Sequence, residues 1–162
     1  MRTIKWKPLL VGFAVAGALG GIVMGVAWAT PGQDAIPTVI AGPVMVGQLD
    51  IKGETDSHEL ELKTKGLSQS IIVRFHIAAG GHTGWHSHPG PAFVMVKAGT
   101  LTLYYADNPT VGVDYPAGTG WVEEPGRVHI ARNNGAAEVE LDAFLLIPLG
   151  APLRIDEPDP QS

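Results

Sequence analysis

The 162-residue sequence contains no cysteine. That excludes disulfides, thiolate metal sites and a cysteine nucleophile, so any bound metal must rely on nitrogen or oxygen ligands. Charge is scarce too: Asp, Glu, Lys and Arg make up 17% of the chain, and no acidic residue stands before Asp34. Beyond the first 33 residues there is no sustained 3.6-residue hydrophobic period, and no internal repeat, which argues against long helices and solenoids. What is abundant is glycine and proline, 21 and 13 residues spread along the whole length. Such punctuation suits many short strands joined by turns, so the expected class is all-β.

The N-terminal segment differs from the rest. Arg2, Lys5 and Lys7 precede a stretch from Pro8 to Gln33 without a charged side chain, dominated by Leu, Val, Ala, Gly and Ile. Residues 1–29 are therefore expected to form a hydrophobic helix, either a signal peptide or a signal anchor. Ala27-Trp28-Ala29 offers the small residues a signal peptidase reads, whereas the apolar run is near the roughly 20 residues needed to span hydrocarbon. Either outcome makes the remainder extracytoplasmic, secreted or tethered to the membrane through the uncleaved helix. That remainder carries eight basic against 16 acidic side chains, a formal charge of −8. A surface of that sign disfavours nucleic acid and anionic lipid as partners.

Residues 30–43, "TPGQDAIPTVIAGP", hold three prolines and read as a linker. Alternating runs follow. Ile71, Val73, Phe75 and Ile77 share one face of "SIIVRFHIA", and Val139, Leu141, Ala143 and Leu145 share one face of "EVELDAFLLI". Residues 92–110 read as a hairpin broken at Ala98-Gly99. One barrel or sandwich over residues 44–150 accommodates these strands, and residues 151–162, with Pro158 and Pro160 among acids, read as a flexible tail.

The chemistry lies in "GWHSHPGPA", residues 84–92. In an extended segment residues i and i+2 face the same way, so His86 and His88 can turn into one cavity. A third histidine, His129, lies in "EEPGRVHIARN". If a barrel brings the two strands together, three imidazoles suit Fe, Ni, Mn, Zn or Cu as one divalent transition metal. Because protonated imidazole cannot ligate, such binding weakens below about pH 6.

These segments resemble the two motifs of the cupins, small β-barrels of jelly-roll topology. Gly80, His86, His88 and Gly99 fall at the positions of the first motif; Gly118, Gly126, His129 and Asn133 fall at those of the second, with Glu124 at its proline position and Pro125 one place late. The resemblance implies a single jelly-roll barrel with a mononuclear metal on His86, His88 and His129. It also implies a glutamate ligand at position 92, where this chain has Ala92. With only three histidines available, the ion's charge would be uncompensated, favouring anionic ligands such as enolates or carboxylates.

Other residues have plainer readings. His82 is a candidate additional ligand, against the usual solvation of loop histidines. His76 and Arg74 read as a surface pair, and His58 as exposed. Trp85 and Trp121 line a mouth or simply pack. One of Tyr104 and Tyr105 faces the cavity. Glu123 and Glu124 read by default as a solvated turn, and Phe93 and Met95 are a candidate homodimer contact. Resemblance to the quercetin-dioxygenase-like cupins points to a metal-dependent dioxygenase acting on a small anionic or enolate-type substrate. The alternatives are a non-catalytic small-ligand sensor or metal-holding envelope protein and, last, an isomerase, for which no convincing acid–base pair is present.

Overall fold

In the computed structural model of the protein, residues 30–162 are described. The expected N-terminal helix, residues 1–29, lies outside them. Twelve strands follow in chain order: β1 (Gln33–Gly47), β2 (Asp50–Thr55), β3 (His58–Lys63), β4 (Ser68–His82), β5 (His86–Ser87), β6 (Ala92–Ala98), β7 (Thr100–Tyr105), β8 (Asn108–Pro116), β9 (Gly120–Glu123), β10 (His129–Arg132), β11 (Val139–Pro148) and β12 (Ile155–Asp156). The all-β expectation holds for the described residues.

Ten strands join in one antiparallel sheet that curls into a nearly closed barrel, while β2 and β3 form a separate exposed hairpin. The long strand β4 is its backbone. It pairs with β1 on one side and β11 on the other, and its end reaches β10 where His82 lies opposite Arg132. Strand β11 continues to β6, and β6 to β9. Period-2 alternation explains the core. Ile71, Val73 and Ile77 of β4, Ala92, Val94 and Val96 of β6, Leu101 and Leu103 of β7, and Val139, Leu141, Ala143 and Leu145 of β11 are buried against one another. A slip of one residue in any of these strands would turn that set to water.

Three elements differ from what the sequence predicts. Residues 33–43 are not a linker but part of β1, with Pro37 opposite Phe75. Pairing only with β4, this strand uses one edge for its ladder and so tolerates proline. Strands β6 and β7 do not pair as a hairpin: β6 lies between β11 and β9, and β7 between β10 and β8. The break at Gly99 instead carries the chain across the barrel. Gly99 has φ 75°, and a Cβ there would sit 2.8 Å from the Glu138 carbonyl oxygen. The tail is docked, not loose, since β12 pairs with β5, placing Ile155 opposite Ser87 and Asp156 opposite His86.

Candidate metal centre

Strands β5 and β10 run antiparallel with His129 directly opposite His86, and His88 follows two residues after His86. The expectation that one barrel joins the two motifs is met. The ring centroids of His86 lie 4.4 Å from those of His129 and 4.9 Å from those of His88, and His88 and His129 are 5.4 Å apart. One ligand atom from each ring lies within 4.8 Å of the other two, and all three side chains are buried.

Backbone carbonyls set the orientation of each ring. Nδ1 of His86 meets the Gly84 oxygen at 2.8 Å, Nδ1 of His88 the Leu153 oxygen at 2.7 Å, and Nδ1 of His129 the Arg127 oxygen at 2.8 Å. A carbonyl can only accept, so every Nδ1 carries its proton and donates. In the neutral ring the lone pair is then on Nε2, as in histidines whose distal nitrogen ligates a metal. Gly84 has φ 74°, and a Cβ on it would fall 2.0 Å from the Thr30 carbonyl oxygen, so only glycine presents the oxygen that His86 uses.

Glu123 does not lie in a solvated turn: its side chain points inward and the residue is only 6% exposed. Its Oε2 lies 3.1 Å from Nε2 of His88 and its Oε1 3.2 Å from Nε2 of His129. Alternation along β9 had offered a signal, because Trp121 and Glu123 fall on one face with exposed Val122 between them. Burial alone would push the Glu123 carboxyl up, but the facing His129 and His88 rings outweigh it and hold the group well below its ordinary range. Burial likewise opposes charge on His129, and the facing Glu123 carboxylate outweighs that to raise it. Burial, with His129, Arg154 and His88 as positive neighbours, pushes His86 well down and keeps it neutral.

A cavity of about 160 Å³ opens beside these rings. Its wall is apolar, including Val73, Phe75, Leu141 and Leu145, with Trp121 and Arg154 contributing donors. Among the described residues, three buried side-chain nitrogens make no hydrogen bond: Trp121 Nε1, Arg154 Nη2 and His129 Nε2. Arg154 Nη2 sits 2.5 Å from Asp156 Oδ1 as an ion pair without hydrogen-bond alignment, and His129 Nε2 meets Glu123 in the same way. Trp121 Nε1 has a partner of neither kind, and a buried donor left unmatched is costly, so it is available to an occupant of the cavity. The donor set, three imidazole nitrogens, fits a divalent transition metal.

Other sequence candidates are more dispersed. His82 lies outside the histidine cluster at the end of β4, half-buried, where its Nδ1 accepts from the Gly84 N–H at 3.1 Å. His76 and Arg74 do share the outer face of β4, but they do not pair with each other: His76 meets Glu138, just before β11, at 2.9 Å, and Arg74 meets Asp142 of β11 at 2.7 Å and 2.9 Å. His58 is exposed on the separate hairpin. Trp85 is buried. Tyr105 is the inward tyrosine, 6.3 Å from His129 between ring centroids and stacked under Arg127, while the Tyr104 hydroxyl accepts from Asn134. Phe93 and Met95 are exposed on the outer sheet beside Val122. The motif asparagine, Asn133, is structural, donating to the Ile77, Ala78 and Ala137 carbonyls and accepting from the Gly135 N–H.

Residues 73–147 match the cupin domain family. The chain carries a cupin domain there. No curated protein matches it. Among solved structures, the chain is similar to an uncharacterised conserved protein of Klebsiella pneumoniae with a double-stranded β-helix domain, at 25% identity over 54% of this chain and 75% of that one, with a TM-score of 0.47. It is similar also to a cupin superfamily protein of Desulfitobacterium hafniense, at 12% identity over 70% and 77% of the two chains and a TM-score of 0.48. A cupin domain of Bordetella pertussis matches at 20% identity over 72% of this chain and 94% of its own, also at 0.48.

Proposed function

We propose that this chain is an exported protein that holds one divalent metal on His86, His88 and His129 and acts as a dioxygenase on a small, largely apolar molecule bearing an anionic or enolate-type oxygen. The observation that carries the reading is the set of three Nδ1–H donors committed to the carbonyls of Gly84, Leu153 and Arg127. That arrangement leaves three Nε2 atoms for a common ion. When bound, such an ion supplies Lewis acidity toward an anionic oxygen.

The chain's own residues do the rest. The apolar wall at Val73, Phe75, Leu141 and Leu145 takes a carbon skeleton and keeps water out. The unpartnered Nε1–H of Trp121 is placed to donate to an acceptor oxygen on the bound molecule. Arg154, also in the cavity wall, is too basic to shuttle protons. Export rests on the three N-terminal positive charges and the apolar run behind them.

The test is oxygen uptake by the purified protein loaded with Fe(II) or Ni(II) and offered diketones, flavonols or thiols. Substrate-dependent uptake that is lost in His86→Ala supports the dioxygenase reading. Thermal stabilisation by the same compounds without uptake would replace it with a non-catalytic sensor or metal-holding protein.

A further inference from the structure

The position where the cupin motif has its acid, Ala92, is paired across strands β6 and β9 with Glu123. Residues directly opposite in an antiparallel pair point to the same face, with Cβ atoms about 4.5–5.5 Å apart. Ala92, Val94 and Val96 of β6 are buried in the barrel, and on β9 the half-buried Trp121 and the buried Glu123 turn to that same face. A carboxylate rising from Glu123 therefore starts one strand away from the empty side-chain position at Ala92, and its longer side chain spans the difference. Its two oxygens end 3.1 Å and 3.2 Å from the Nε2 atoms of His88 and His129.

A charged group in an otherwise apolar barrel needs a matching charge, because desolvation of a lone carboxylate is expensive. An alanine at position 92 also leaves space that a glutamate there would fill. We propose that Glu123 is the fourth protein ligand of the metal, supplied from β9 in place of the carboxylate missing at Ala92. This rests on the reading that the three histidines hold a divalent ion. It replaces the expectation of an uncompensated three-histidine site with three nitrogens and one oxygen, which cancels one of the ion's two positive charges.

The register suggests a direct test, because the carboxylate can be moved to the opposite strand. The full chain is stripped with chelator and titrated with Co(II) against a competing chelator, with the visible Co(II) spectrum reporting the ligand set. Variants are Glu123→Gln, Glu123→Ala, and the exchange Ala92→Glu with Glu123→Ala. The single variants are expected to bind at least about 10–100-fold more weakly, with an altered spectrum. The exchange is expected to recover most of the loss. If Glu123→Ala fails to fold, the isosteric Glu123→Gln carries the comparison. Wild-type affinity and spectrum in Glu123→Gln would overturn this assignment and leave the histidine site standing, with Glu123 merely an ion-pair partner of protonated rings. Absence of Co(II) binding by the wild-type chain would overturn both.

Discussion

The carbonyl oxygen of Leu153 accepts a hydrogen bond from Nδ1 of His88 at 2.7 Å, so a residue of the C-terminal segment orients a ring of the candidate metal centre. The segment is held in place from several sides. The Glu157 N–H donates to the Trp85 carbonyl, Ser87 donates to the Glu157 carboxylate at 2.8 Å, and Thr30 bonds to the Glu157 carbonyl. Removing residues 153–162 is expected to weaken metal binding about 10–100-fold, the usual effect of losing a partner behind a ligating histidine. Removing only residues 159–162 should leave affinity unchanged. Chelator competition on the two truncations makes the comparison.

Gly84 supports the neighbouring ring. Alanine there combines a positive φ with a 2.0 Å approach to the Thr30 carbonyl oxygen, so the backbone must move and carry the His86 acceptor with it. Gly84→Ala is expected to cost about 1–3 kcal/mol in stability and to weaken metal binding as well. Urea denaturation and metal titration on the same preparation check the two effects together.

Asn133 should separate fold from site. Its buried side chain makes four hydrogen bonds to backbone groups at the end of β4 and in the turn before β11. Asn133→Ala leaves those groups unmatched and is expected to lose about 2–3 kcal/mol of stability. Metal stoichiometry should not change. A lower urea midpoint with one metal still bound per chain is the expected pair of results.

The outer face of the sheet gives a pH dependence. The Arg74 guanidinium bonds Asp142 at 2.7 Å and 2.9 Å, and that hydrogen bonding, ahead of the opposing burial, holds the Asp142 carboxyl below its ordinary 3.8. A depressed carboxyl stabilises the fold fully above its unfolded value and loses the contribution as pH falls through the folded one. Because the pair is partly exposed, Asp142→Asn is expected to cost only about 0.5–1 kcal/mol at pH 7. The difference in Tm from wild type should shrink as pH drops below 3.8, which thermal melts across that window would show.

The sequence made some of this legible and concealed the rest for physical reasons. Alternation marked β4 and β11 because their inner faces are continuous apolar rows, and the His86, His88 and His129 spacing carried over because strand geometry converts i, i+2 into one face. Alternation names a strand but not its neighbour, so β6 and β7 looked like a hairpin although Gly99 sends them to different partners. Proline content hid β1, since an edge strand tolerates what a central one does not. Glu123 was hidden because its role depends on register: nothing in "EEPG" shows that it faces Ala92.

The account depends on a divalent ion held by three imidazoles from β5, β10 and the turn after His86, and elemental analysis of protein purified without added metal tests it most directly. One transition-metal ion per chain in the wild type, and none in the variant carrying His86→Ala and His88→Ala, is the expected result. A wild-type chain with no transition metal that also takes none up on loading, or a double variant that retains it in full, would contradict the account.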